Sequence, residues 1–296
     1  MAEHPVNRRV VYEKTLSIAD WRREASQRLK SISDAASLEA DVLLASALGK
    51  PRAWLLAHAD DALPAETRDT LSGWLTRRLD HEPIAYLTGT QEFWSLTLRV
   101  TPATLIPRPE TEALVERVLA LVADIREPRI ADLGTGSGAI ALALAMERTD
   151  ADIIATDQSS AALLVAEQNA SQLGINNVTF VGGDWCNALP PPLFNVIVSN
   201  PPYVEQDFAG FADNLRHEPR SALASGDDGL NDIRTIARDA ASHLENDGWL
   251  LLEHGHMQAD AVSGILRAHA FNAITLHHDL AGLPRFTEAR AGVSTA

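Results

Sequence analysis

Asn200, Pro201, Pro202 and Tyr203 follow directly on the β-forming run Val196-Ile-Val-Ser199. Proline lacks the backbone N–H that a sheet ladder needs, so a strand must end at Asn200. At that tip the asparagine carries a side-chain carbonyl that accepts and an NH2 that donates. Pro201 keeps its carbonyl and has no N–H, so its backbone offers an acceptor alone. Two converging acceptors can hold both hydrogens of an NH2 group, and the ring of Tyr203 can lie over its flat face. The rigid prolines reduce the ordering entropy lost on binding. A plain strand-ending Asn-Pro turn is the alternative, and two further signals argue against it.

A clamp of this kind suits transfer to a carboxamide nitrogen. That nitrogen is a poor nucleophile, because its lone pair is delocalised into the carbonyl. Holding both N–H bonds favours a pyramidal nitrogen and aims the lone pair, an alignment worth on the order of 7–11 kcal/mol in favourable cases. The acceptors also stabilise the positive charge that grows on nitrogen. A tyrosine face can add about 0.5–2 kcal/mol through a cation–π contact. Neither a metal nor a strong base is required, since a protonated N-alkyl amide releases its proton readily to the clamp or to water.

The second signal is the turn Gly134-Thr135-Gly136-Ser137-Gly138. Glycine permits positive φ and lets a ligand lie against the main chain beside a helix N-terminus. A dinucleotide fingerprint would need glycine where Ala139 stands. Asp157 closes the next run of β-formers, about 20 residues on, where an acid can accept from both hydroxyls of a ribose. Glycine turn and acid together fit a nucleoside ligand without a pyrophosphate, such as S-adenosylmethionine, with S-adenosylhomocysteine as product. The third signal is Asp184-Trp185, after Val178–Val181. Asp184 is placed to accept from an adenine amine and Trp185 to stack on its ring. An ordinary loop acid beside a core tryptophan stays equally open.

These tips need strands to carry them. The patterning predicts strands Arg129–Leu133, Ala151–Asp157, Val178–Val181, Phe194–Ser199, Trp249–Glu253, Ala273–His278 and Arg285–Arg290. Helices are predicted from Pro109 onward and over Ala139–Arg148, Ser159 to near Gly174, Leu230–Leu244 and Gln258–His269. Alternation of strand and helix implies a mainly parallel, doubly wound α/β sheet. Upstream, residues 1–82 read as helices only. Leu38, Val42, Ala45 and Leu48 form one expected core stripe, and Leu71, Trp74, Leu75 and Leu79 another. Residues 83–108 contain the alternating run FWSLTLRV, expected as a hairpin linker, and 109–296 form the catalytic domain.

The 296 residues suit two domains. With a net charge of −15 and no long Lys/Arg run, naked nucleic acid is disfavoured and a protein or small-molecule partner favoured. No apolar run reaches the roughly 18 residues of a membrane span. The single cysteine, Cys186, excludes an internal disulfide and fits a reducing compartment, so a cytoplasmic protein is expected. Cys186 is expected to be a buried small side chain. The ten histidines show no metal-ligand spacing, so no metal is expected.

Asn-Pro-Pro-Tyr after a glycine turn resembles the amino-methyltransferases. LIPRPETEALVE (Leu105–Glu116), HEPRSALASGDDGL (His217–Leu230), LLLEHG (Leu250–Gly255) and DLAGLPR (Asp279–Arg285) are similar to stretches of the protein-(glutamine-N5) methyltransferases. LEADVLLASALGKPRAWLLAHADDAL and EPIAYLTGTQEFWSLTLRV resemble the members that modify peptide chain release factors. The resemblance covers almost the whole chain. It implies a Rossmann-like class I methyltransferase domain of seven mostly parallel strands, a small all-α N-terminal domain that recognises the substrate, and S-adenosylmethionine as donor. It also implies the glutamine of the Gly-Gly-Gln motif in class I release factors as target; a monomer is expected, with no signal in the sequence for the oligomeric state. Carried over, Gly134, Thr135, Gly136, Ser137, Gly138, Asp157, Asp184, Trp185 and Asn200 bind cofactor. Asn200, Pro201, Pro202 and Tyr203 hold the amide and carry the catalysis. Arg108 and Glu110 match a motif whose role is open between site and linker. The tail around Gly282–Arg290 departs from the usual ending. Glutamine methylation of a ribosomal protein, adenine-N6 methylation of DNA, and a non-catalytic module that keeps the fold remain alternatives.

Overall fold

The computed structural model describes residues 16–212 and 215–292. They form two compact units, with the break between Thr88 and Gly89.

The first unit contains helices α1 (Ile18–Leu29), α2 (Ala36–Leu48), α3 (Arg52–Ala57), α4 (Ala65–Leu79) and the short α5 (Ile84–Thr88). Ser17 caps α1, its Oγ accepting from the Asp20 amide at 3.1 Å. Gly49 ends α2 in the left-handed region. The expected stripe on α2 is met in part, since Ala45 is buried and Leu48 packs against the same core. Leu38 is 44% exposed, while Ala36, Ala40, Leu43 and Leu44 are buried. Those four follow the i, i+4, i+7, i+8 pattern, and their small alanines let a neighbouring helix approach closely. In α4, Leu71 and Leu75 are buried, with Trp74 and Leu79 packed partly against the same core.

The second unit opens with an antiparallel hairpin, β1 (Thr90–Phe93) and β2 (Leu96–Arg99). Its two turn residues, Trp94 and Ser95, both take positive φ, as a tight two-residue hairpin requires. The hairpin is fastened to its own unit. The Asn169 side chain accepts from the Arg99 amide at 2.7 Å and donates to the Arg99 carbonyl at 3.0 Å. Phe93, Leu96 and Leu98 enter the core. The helix expected from Pro109 is split into a single 3₁₀ turn, Pro109–Thr111, and α6 (Glu112–Leu121).

The remaining elements are β3 (Arg129–Leu133), α7 (Ala139–Glu147), β4 (Asp152–Asp157), α8 (Ser160–Leu173), β5 (Val178–Gly182), β6 (Phe194–Ser199), α9 (Asn231–Ala240), β7 (Leu244–Glu253), α10 (Ala259–Ala268), β8 (Asn272–His278) and β9 (Pro284–Arg290). Seven strands form one sheet in the order β5-β4-β3-β6-β7-β9-β8. Pairing is parallel through β7, and β9 is antiparallel to both its neighbours. The expected α/β class and strand set are therefore present. The helix expected to Leu244 stops at Ala240, and β7 starts at Leu244 instead of Trp249. A register shift between Phe194 and Val196 lets the longer strand pair with β6. The sheet buries both faces, one under α6 and α7 and the other under α9 and α10. Among the described residues, no helix is long and apolar enough to cross a membrane.

Candidate active site

Strand order places the chemistry. β3 and β6 are parallel neighbours, with Leu133 opposite Ser199. The buried Ser199 hydroxyl donates to the Leu133 carbonyl at 2.7 Å, which ties the two strand ends together. The glycine turn and Asn200 therefore leave adjacent strands at the same level. β4 flanks β3 on the other side and brings Asp157 to that level. Open α/β sheets form their crevice here, beyond the carboxyl ends of the strands. One cleft is lined by Gly134, Gly136, Asp157, Asp184, Trp185, Asn200 and Pro202. A second pocket adjoins it through Asn200, which lines both, and holds Pro201, Tyr203 and Arg108 in its wall.

The turn binds itself before it binds anything else. The Gly134 and Thr135 amides both donate to the Thr156 carbonyl at 2.8 Å, and the Gly138 amide donates to the Thr135 carbonyl at 2.9 Å. The Gly136 amide donates to Asp157 Oδ2 at 2.9 Å, and the Ser159 amide to Asp157 Oδ1 at 2.8 Å. These amides are committed within the protein, so they do not form a phosphate cradle. Each Asp157 oxygen retains a lone pair, and burial raises its pKa above the usual carboxylate value. A side chain at Gly134 would meet the Trp185 ring at 3.0 Å, so that glycine makes room for the indole on the cleft wall.

Thr135, Ser137 and Gly138 stand behind the cleft wall. Thr135 and Ser137 are buried, and the Thr135 hydroxyl donates to Asp132 Oδ2 at 2.6 Å. A side chain at Gly138 would meet Leu142 at 2.9 Å, inside the helix packing. These three shape the turn from beneath. Asp132 was not singled out by the sequence reading. It is fully buried, its Oδ1 has no partner, and desolvation lifts its pKa to about 7.

The strand tip sits in a chain of hydrogen bonds. Asn200 Nδ2 donates to Thr111 Oγ1 at 3.2 Å. The Thr111 hydroxyl donates to Glu253 Oε2 at 2.7 Å, and the Tyr203 hydroxyl to Glu253 Oε1 at 3.3 Å. Asn200 Oδ1 is buried and has no partner. Glu253 ends β7, 1% exposed, and burial raises its pKa to about 7. Burial and the adjacent Glu253 raise that of Tyr203.

The backbone beyond the tip is pinned as well. The Val204 amide donates to Leu223 O at 2.8 Å and the Ser225 amide to Val204 O at 2.9 Å. Gln258 Nε2 donates to the Tyr203 carbonyl at 2.9 Å. Gly229 takes φ +72°, and a side chain there would lie 2.3 Å from that carbonyl. Arg108 pairs with the buried Glu218, which also accepts from the Ile106 amide at 3.1 Å. Glu110 is exposed. The sequence carried a signal for Thr111, Glu253 and Gly229, since each lies in a motif quoted above. It held no sign that they converge.

Cys186 is fully buried, and desolvation pushes its thiol up to about 12. His254 is buried, with its ring nitrogens 3.0 Å from Gly255 O and 2.9 Å from Thr287 Oγ1. Among the described residues, no three or more His, Cys, Asp or Glu are grouped to hold a metal.

Comparison with known proteins identifies the family of the chain. A family model described as the PrmC N-terminal domain matches residues 20–89, and one described as the methyltransferase small domain matches 110–229. A release factor glutamine methyltransferase of Coxiella burnetii is 50% identical over 277 residues, covering 94% of this chain and 100% of that protein. One of Escherichia coli is 47% identical over 243 residues, covering 82% of this chain and 87% of that protein. Among solved structures, the hMettl16 catalytic domain in complex with MAT2A 3′UTR hairpin 1 superposes with a TM-score of 0.57 at 15% identity. It covers 77% of this chain and 82% of that one. That similarity concerns the fold alone.

Proposed function

This chain belongs to the release factor glutamine methyltransferase family, and from that premise we propose that Asn200, Pro201, Pro202 and Tyr203 present a release-factor glutamine for methylation at its side-chain nitrogen. The observation that carries the residue assignment is the unpartnered, buried Oδ1 of Asn200. A buried carbonyl without a donor is costly, on the order of 1–3 kcal/mol. An incoming carboxamide N–H supplies that donor.

Asn200 Oδ1 accepts one N–H of the glutamine, and the Pro201 carbonyl accepts the other. Tyr203, with its hydroxyl anchored on Glu253, covers the amide face. Held in this way, the nitrogen directs its lone pair toward the cleft. S-adenosylmethionine, bound there, supplies a sulfonium methyl group. That sulfonium would give up its methyl to the nitrogen and leave as a neutral thioether, and the N–H proton shed by the methylated amide would pass to water. Asp157 supports the cofactor reading, because its free lone pairs suit a ribose diol. Trp185 offers an aromatic face for adenine and the exposed Asp184 an acceptor for its amine. Since the amides of Gly134, Thr135, Gly136 and Gly138 are already paired, a ligand without a pyrophosphate is the better fit.

The target is the glutamine of the Gly-Gly-Gln motif in class I release factors. That motif is small and flexible, so a narrow pocket admits the side chain while recognition comes from elsewhere on the substrate. The helical N-terminal domain is the element assigned to that recognition. The enzyme is taken to act as a monomer in the cytoplasm, where termination occurs, without contacting nucleic acid directly. Mass spectrometry of release factor incubated with the protein and S-adenosylmethionine tests the reading. It should find one added methyl on the Gly-Gly-Gln glutamine. Methylation confined to a ribosomal protein, or to another residue, sinks it.

A further inference from the structure

We infer that Thr111 and Glu253 are positioning residues that fix which way round the Asn200 carboxamide faces its substrate. The inference rests on the glutamine-methylation reading, and its first step is a count of hydrogens. An asparagine side chain can turn over about its last bond and exchange carbonyl for NH2 with little change in shape. Only one orientation works here. With the carbonyl toward the pocket, Asn200 accepts from a substrate N–H. With NH2 toward the pocket, it opposes another NH2 and repels it.

The choice is made outside the pocket. The Thr111 hydroxyl has one hydrogen, and with Glu253 ionised that hydrogen goes to Oε2 at 2.7 Å. Thr111 Oγ1 then has only lone pairs left to offer Asn200. Whatever faces it must donate, and Nδ2 does so at 3.2 Å. The carbonyl is thereby turned the other way, where its oxygen remains without a partner. The second Glu253 oxygen takes the Tyr203 hydroxyl at 3.3 Å, so one carboxyl group sets both the acceptor and the ring.

The three contributors come from separate elements: the 3₁₀ turn Pro109–Thr111, the tip of β6 and the end of β7. Neither Thr111 nor Glu253 lines the cleft or its adjoining pocket, so their effect passes through Asn200 and Tyr203. Burying a carboxyl group is expensive, and Glu253 is 1% exposed. A polarity-setting role accounts for its presence at the end of a core strand.

The full-length protein tests this with T111V, T111S, E253L and the T111V/E253L double variant. Valine keeps the shape of threonine and removes both hydrogen-bonding functions. Kinetics on release factor should show T111V with kcat lowered about 10- to 100-fold and KM for both substrates within about twofold. T111S should recover most of that loss. E253L, which also releases the Tyr203 hydroxyl, should be at least as slow as T111V, and the double variant should be no slower than E253L, because both break one chain. NMR of the protein labelled at asparagine side chains gives a readout independent of turnover. The Asn200 NH2 hydrogens should exchange slowly with water in the wild type and in T111S, and faster in T111V. A T111V enzyme as fast as wild type, a T111S as slow as T111V, a loss confined to KM, additive losses in the double variant, or unchanged NH2 exchange in T111V each overturns the inference. If the wild type methylates no release factor while the exchange pattern is as expected, the assigned function fails and the polarity device stands.

Discussion

Asn200 concentrates most of the chemistry in one side chain. Its NH2 is spent on Thr111 and its carbonyl is free, so truncation removes an acceptor that matters most when charge develops on the substrate nitrogen. Asn200→Ala is expected to lower kcat about 100-fold or more, by analogy with loss of one preorganised group. Binding of S-adenosylmethionine, measured calorimetrically, should change far less. Equal losses in both would mean that Asn200 serves the cofactor and not the amide. Asp132 is a different kind of residue, a buried carboxyl whose proton desolvation holds more tightly than usual. Its folded pKa, raised to about 7 from 3.8, lies above the unfolded one. The fold therefore binds the proton more tightly, and this contribution to stability is present below pH 3.8 and lost as pH rises through about 7. Each unit of such a shift is worth about 1.4 kcal/mol. Asp132→Asn removes that penalty, so thermal unfolding should show the variant gaining on wild type from pH 5 to pH 8. A difference in melting temperature that is flat across this range refutes the buried-acid reading.

Elements set where these residues meet. β3 and β6 would bring the turn and the tip together in any doubly wound sheet that pairs them, and the Ser199–Leu133 hydrogen bond fixes their level. The segment after the tip needs a different support. Residues 223–226 clasp it by backbone bonds, and Gly229 lets the chain pass under Tyr203. At φ +72° an alanine at 229 is strained by about 1–3 kcal/mol. Its methyl would also press on the Tyr203 carbonyl at 2.3 Å. Gly229→Ala should therefore lower the melting temperature by several degrees, roughly 2–4 °C per kcal/mol. It should lower kcat as well, because the ring over the amide shifts. A variant with wild-type kcat would show that the position of Tyr203 tolerates this displacement.

For the whole molecule the expectation concerns division of labour. The compact unit that begins at Gly89 contains the sheet, the cleft and every residue assigned to the reaction. If the helical N-terminal domain serves recognition, a chain beginning at Gly89 should keep cofactor affinity and lose release-factor affinity. Titration of both ligands against the truncated protein separates the two, once circular dichroism shows that it folds. Undiminished kinetics on intact release factor would assign recognition to the catalytic unit. A net charge of −15 also makes encounter sensitive to salt, with a sign set by the charge of the docking surface.

Much of this was legible along the chain because it is local. Proline stops a strand, glycine permits a turn, and alternation of strand and helix dictates a parallel sheet, so Gly134, Asp157 and Asn200 could be placed at strand ends along one edge of a sheet, whereas the adjacency of β3 and β6 is a fact of the strand order. Helix faces were less secure, since Leu38 and Leu43 are equally apolar and only the partner surface decides which is buried. Ranges were also blurred where two elements share a boundary, as at Leu244, because a register shift is a property of the pair of strands and not of either one. Thr111, Asn200 and Glu253 lie far apart in sequence, and hydrogen-bond polarity is a relation among all three. Residue types specify which groups can donate or accept; only folding, by bringing them within about 3 Å of one another, decides which way each bond points.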